Sequence, residues 1–165
     1  MSARTLAIMM AALIAGLGPA MLAAQSKTEY SAVTEQRLLN PEPHNWLMYR
    51  GNYSGWGYSP LDQITPTNVK KLVPVWSFST GVTEGHQAPP IVNNGVMFIT
   101  TPQQQVFALN AKTGDLLWRY KKDLPEDLTQ LHPTNRGVAL WGDRVYLATV
   151  DAHRTPVSPG RRAAA

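Results

Sequence analysis

The 165 residues are enough for one modest domain, and they carry a formal charge of +4 and no cysteine. With no Cys there is neither a disulfide framework nor a thiolate metal site, so stability must rest on packing, to which five Trp, six Tyr and three Phe contribute. Much of the positive charge is local, with Arg4 near the start and Arg154, Arg161 and Arg162 near the end. Basic residues do not gather with aromatics in one stretch, so nothing in the charge points to nucleic acid.

The chain opens with Arg4, an apolar run from Leu6 to Leu17, a Gly18–Pro19 break and small residues around Ala23 and Ala24. That is the order of a secretory signal, read here as residues 1–26. The run is too short and too broken to make a stable membrane span. Residues 27–45 are polar, with Pro41 and Pro43, and read as an N-terminal arm. A short helix over "SAVTEQRLL" is expected there, capped by Ser31 or Thr34.

"NWLMYRGNYSGWGYSPLDQIT" (45–65) is dense in aromatics and glycines, which predicts tight turns closed by aromatic packing. One helical turn is expected from Thr65 or Thr67. "VPVWSFST" (73–80) alternates apolar and polar residues, as a strand does. In 88–121, Ile91-Val92, "NNG" and "VMFITT" form a hairpin pattern, since Asn-Gly tolerates the positive φ of a tight primed turn. "QQVFALNA", "KTG" and "DLLWRYK" add a strand, a turn and a strand. The expected unit is a four-stranded antiparallel meander with Trp76 and Trp118 largely buried.

"RGVALWGDRVYLATVDAH" (136–153) starts the pattern again, at roughly the 40–45-residue period of a propeller blade. The five tryptophans are read as propeller core, and Asp143 as a turn residue. "RTPVSPGRRAAA" (154–165) then leaves the repeat and reads as an aberrant or out-of-frame tail.

Together, "WLMYRGNYSGWGYSPLDQIT", "VWSFSTGVTEGHQAPPIVNNGVMFITTP", "VFALNAKTGDLLWRY" and "HPTNRGVALWGDRVYLATVDAH" resemble the N-terminal part of pyrroloquinoline quinone (PQQ)-dependent alcohol dehydrogenases, the methanol/ethanol dehydrogenase family. The likeness covers nearly all of residues 37–153. "ALNAKTGDLLW" resembles the family's tryptophan-docking repeat through Ala108, Gly114 and Trp118, with Asn110 where Asp is more usual. The resemblance implies an all-β fold, an eight-bladed β-propeller in the full-length family. Of it, residues 46–153 would supply about one blade plus the start of another.

It also implies a periplasmic enzyme that oxidises primary alcohols to aldehydes by hydride transfer to PQQ. Ca²⁺ or a lanthanide would serve as Lewis acid, and a cytochrome c as electron acceptor.

Arg136 in "NRG" is, read alone, either an anion clamp or a solvated surface cation. The resemblance implies contact with the cofactor, whose three carboxylates a guanidinium can grip with paired hydrogen bonds. Gln87 in "GHQAPP" is either a turn residue ahead of Pro89 and Pro90 or, by resemblance, a cofactor contact where methanol dehydrogenases usually have Glu. Gln130 and Leu131 stand where many members have two adjacent Cys that pack on the cofactor. Leu131 could cover the ring but not form the bridge. His86 and His132 are too few and too scattered to form a metal site. The resemblance places the family's catalytic Asp and its metal ligands beyond this chain, so no catalytic residue and no metal ligand is assigned.

Two readings follow. The first is an enzyme fragment, inactive by itself. The second is a small exported propeller-type binding or assembly module without catalysis.

Overall fold

A computed structural model describes residues 30–152 and 154–157. The expected export signal and the end of the expected tail lie outside the described residues. No helix among those residues is long and apolar enough to cross a membrane.

The arm forms one short helix, α1 (Glu35–Leu39). Thr34 caps it, its hydroxyl accepting from the Arg37 amide at 3.4 Å, and Pro41 follows just past its end. Leu38 is the buried residue of the turn. A 3₁₀ turn, Val69–Lys71, occupies the other expected helical position, with Asn68 rather than a Thr at its N-cap.

The strands are β1 (Ile91–Asn93), β2 (Val96–Thr101), β3 (Gln105–Asn110) and β4 (Leu116–Lys121), followed by β5 (Val138–Trp141), β6 (Arg144–Ala148) and β7 (Arg154–Val157). The first four form one antiparallel meander and the last three a second sheet. Asn94 (φ 49°) and Gly95 (φ 78°) make the β1–β2 turn, as the Asn-Gly pair predicts.

In β2 the buried positions alternate over Val96, Phe98 and Thr100. β3 is buried from Gln105 to Leu109, on both its faces. Val106 and Ala108 join Phe98, Trp118, Leu140, Val145 and Leu147 in one core that spans the two sheets. Phe107, one residue on from Val106, points to the opposite face, where Phe78 meets it edge-on at 5.4 Å and the Arg119 guanidinium lies 5.2 Å from its ring centre.

Three expectations need correction. Residues 73–80 pair with no strand among the described residues, although their alternation is real: Trp76, Phe78 and Thr80 are the half-buried residues and their neighbours face out. An extended segment becomes a ladder only beside a backbone partner, and Val73 and Val75 are 74% and 85% exposed. Second, the tryptophans are not uniformly core. Trp118 is buried, Trp46 and Trp76 are half-buried, and Trp56 and Trp141 are exposed. Third, Arg154–Val157, expected to lie outside the repeat, is the edge strand of the second sheet, where Pro156 sits opposite Tyr146 and Val157 is buried.

Trp76 nonetheless joins the first blade. Its indole N–H donates to the Ala111 carbonyl at 3.2 Å, and its ring lies on Gly114. A Cβ on Gly114 would stand 2.7 Å from that ring, and the backbone there has φ +77°, so only glycine fits.

The arm is tied down by polar contacts. The Arg37 guanidinium donates to both Glu42 carboxylate oxygens (2.7 and 3.1 Å), to the Ser31 and Ala32 carbonyls, and to Asn93 Oδ1 at 3.1 Å. Asn45 donates to Glu42 at 2.8 Å and accepts from the Asn94 amide at 2.7 Å. These charged hydrogen bonds, the Arg37 pair foremost, hold the Glu42 carboxyl down at about 2. Tyr30 packs edge-on against Phe98, and its burial pushes the phenol up to about 12.

Candidate functional site

Asn135, Arg136 and Gly137 divide the work of one loop. Asn135 is buried, and its amide donates to Gln104 Oε1 at 2.9 Å and to the Ala148 carbonyl at 3.2 Å. Its Oδ1 accepts from the Gly137 amide at 2.9 Å, closing a local turn around Arg136. Gly137 has φ +121°, which re-aims the chain into β5. Arg136, pinned on both sides, is exposed and has no ion pair among the described residues.

The anchor for Asn135 is itself unusual. Gln103 and Gln104 both have positive φ (64° and 56°), costing about 1–2 kcal/mol each. The surroundings offset this: Gln103 N–H donates to the Pro133 carbonyl at 3.0 Å, and Gln104 C=O accepts from Lys122 N–H at 3.1 Å. Lys122 also pairs with Asp151 at 3.5 Å. The β2–β3 turn of the first sheet thus holds the loop that leads into the second.

The contact that matters for the two expected site residues lies one position along from each. A Cβ on Gly137 would meet the Ala88 methyl at 3.9 Å. The loop that carries Gln87 and the loop that carries Arg136, 49 positions apart by their numbers, therefore approach each other at Ala88 and Gly137. Both side chains are exposed. Leu131 is 96% exposed, and the Gln130 Oε1 atom is buried without a partner among the described residues.

His86, next to Gln87, is held at both ring nitrogens, Nε2 by the Thr80 hydroxyl at 3.0 Å and Nδ1 by the Glu84 carbonyl at 3.0 Å. Among the described residues no three His, Asp or Glu side chains converge as a metal site would need.

Residues 46–157 match the family model for the PQQ glucose/ethanol/alcohol dehydrogenase β-propeller domain. The chain belongs to that family. It is 41% identical over 128 residues to the quinoprotein alcohol dehydrogenase PedH of Pseudomonas putida, covering 74% of this chain and 22% of that protein. It is 34% identical over 154 residues to a quinoprotein ethanol dehydrogenase of Pseudomonas putida, covering 84% and 25%.

Among solved structures, the quinohemoprotein alcohol dehydrogenase ADHIIG of Pseudomonas putida superposes with a TM-score of 0.71 at 34% identity, over 78% of this chain and 20% of that one. A europium-containing methanol dehydrogenase superposes with a TM-score of 0.68 at 30% identity, over 74% and 23%. The chain thus spans about a quarter or less of the length of these quinoproteins. The two sheets are blades of a β-propeller, as the repeat predicts.

A guanidinium and a primary amide, Arg136 and Gln87, stand exposed on the two loops, and both are donors that a carboxylate could accept from. Asn135 and Gln104 escaped the sequence reading. The Asn-x-Gly spacing was a usable signal for the local turn, whereas no sequence pattern marks a glutamine as a buried anchor.

Proposed function

We propose that this chain is the N-terminal part of a periplasmic PQQ-dependent alcohol dehydrogenase, in which Arg136 and Gln87 contact the cofactor's carboxylates. The supporting observation is the approach of Ala88, next to Gln87, to Gly137, next to Arg136, in a chain of this family. Bound PQQ supplies the hydride acceptor for oxidation of a primary alcohol to an aldehyde, with Ca²⁺ or a lanthanide as Lewis acid and a cytochrome c taking the electrons. Arg136 grips a carboxylate with paired N–H donors, and Asn135 and Gly137 fix the backbone from which it reaches out. Gln87 donates through its amide without adding charge.

The chain alone is inactive and holds the quinone weakly. An exposed Arg–carboxylate pair contributes about 0–1 kcal/mol, a few-fold in affinity. The test mixes purified mature protein with PQQ, Ca²⁺ or a lanthanide, a primary alcohol and an artificial electron acceptor. No alcohol-dependent dye reduction above the no-protein control is expected. Reduction that disappears in Arg136→Ala would overturn the inactivity and show that the chain needs no further blades. Export predicts a mature N-terminus between about Gln25 and Lys27, read by N-terminal sequencing of periplasmic protein.

A further inference from the structure

Gln104 is fully buried in the β2–β3 turn, yet its Nε2 has no hydrogen-bond partner among the described residues. A buried donor left unpaired is costly. The other end of the same amide is the part in use, for Oε1 accepts from Asn135 Nδ2 at 2.9 Å. The second acceptor of that nitrogen is the Ala148 carbonyl, at 3.2 Å. Gln104 belongs to a turn of the first sheet and Ala148 ends β6 of the second, so each sheet supplies one acceptor.

These partners decide which way round the Asn135 amide lies. A primary amide donates only through its nitrogen and accepts only through its oxygen. Two acceptors on one side draw Nδ2 towards them, and Oδ1 is left for the Gly137 N–H at 2.9 Å. Turned over, Asn135 would set its oxygen against Gln104 Oε1 and the Ala148 carbonyl, and its nitrogen against the Gly137 N–H. None of those contacts joins a donor to an acceptor. Ala148 and Gly137 act through backbone groups, so Gln104 is the one partner whose role a substitution can change. Arg136 stands exposed inside this turn, between Asn135 and Gly137.

We propose that Gln104 is a positioning residue for Arg136: its buried Oε1 holds the Asn135 amide in the orientation that closes the turn presenting the guanidinium. Its value to the cofactor rests on the reading of Arg136 as a carboxylate contact. A side chain of the first sheet thereby sets a cation on the loop that leads into the second, and the fit between the two sheets reaches Arg136 through one amide.

Two variants isolate that oxygen. Gln104→Met keeps the side-chain length and bears the same positive-φ strain, so it removes the amide alone. Gln104→Glu keeps an acceptor at Oε1 and replaces only the unpartnered Nε2. In the full chain, Gly137 amide exchange should run about fivefold or more faster in Gln104→Met, the equivalent of one lost hydrogen bond. The Phe98 and Val106 amides in the core strands should keep their rates, and Gln104→Glu should restore Gly137. In the unsubstituted protein, NMR scalar coupling across the hydrogen bond should join Asn135 Nδ2 to the Gln104 side-chain carbonyl carbon. Absence of that coupling, an unchanged Gly137 rate in Gln104→Met, or a Gln104→Glu rate as fast as that of Gln104→Met would overturn the proposal. Where Phe98 and Val106 also lose protection in Gln104→Met, the coupling decides.

PQQ is titrated in parallel. Weaker binding in both Arg136→Ala and Gln104→Met, restored by Gln104→Glu, is expected. Weaker binding in Arg136→Ala with no change in Gln104→Met would also overturn the positioning role. If Arg136→Ala leaves PQQ binding unchanged, the cofactor reading falls, and the coupling and exchange rates alone decide the role of Gln104.

Discussion

Trp118 on β4 and Trp141 on β5 are both strand tryptophans, yet Trp118 is buried and Trp141 is 51% exposed. The difference lies in what each sheet has been given to pack against. The first sheet has four strands, the N-terminal arm over one face and Phe78 with Arg119 over part of the other. The second has three strands and shares only its inner face with the common core, through Leu140, Val145, Leu147 and Val157. Burial in a blade is thus set by neighbouring layers more than by the residue or its strand, which is what a layered propeller requires.

That contrast can be tested directly. Trp118→Ala should cost about 3–5 kcal/mol, because Phe98 and the shared core lose their partner. Trp141→Ala should change stability by less than about 1 kcal/mol. Urea unfolding of both variants checks this, and equal losses would mean that the two sheets are covered alike.

A second comparison uses two glycines with positive φ, Gly114 (+77°) and Gly142 (+58°). Gly142→Ala has open space and bears only the backbone strain of about 1–2 kcal/mol. Gly114→Ala adds a clash with Trp76, for a total of about 2–4 kcal/mol. Combining Gly114→Ala with Trp76→Ala should bring the glycine cost back to the level of Gly142.

Between the sheets, Asn135→Ala removes the donors to the buried Gln104 side chain and to the Ala148 carbonyl and should cost about 1–3 kcal/mol. It should also speed amide exchange at Gly137, whose N–H loses its acceptor. The smallest effect concerns the arm. The Glu42 carboxyl is lowered to about 2 in the folded chain, so its stabilising contribution is fully present above the ordinary value of 4.5. It is lost as pH falls from there through about 2. Glu42→Gln should remove that part of the acid titration, followed by Trp fluorescence, and leave the first sheet's other transitions in place.

The β1–β4 meander was legible because two of its three turns carry local chemistry: Asn94-Gly95 demands one hairpin, and Lys112–Gly114 marks another. Residues 73–80 show the limit. Their period of two correctly picked out Trp76 and Phe78, but a ladder depends on a partner that no local pattern encodes. Arg154–Val157 is the reverse case. Four residues with an internal proline carry little intrinsic strand signal, and they become a strand because β6 offers an open edge. Arg136 and Gln87 were found by resemblance. Their loops approach each other at Ala88 and Gly137, a relation between segments leading into different sheets that sequence spacing does not reveal.

The arm's reach has a consequence for folding order. The strand pairings within each sheet are between sequence neighbours and close short loops. By contrast, the Tyr30 hydroxyl donates to the Arg144 carbonyl across 114 residues, and Val33 exchanges backbone hydrogen bonds with Gly142. Closing so long a loop costs more chain entropy than closing a hairpin, and it yields nothing until both ends exist. On a ribosome the arm emerges first, yet it finds its partner only after the β5–β6 hairpin has been synthesised. In the interval Phe98 lacks its Tyr30 cover and Asn93 its Ser31 contact. The arm, made before either sheet, is therefore the last to lock, and until then the nascent chain exposes part of the core face of its first sheet.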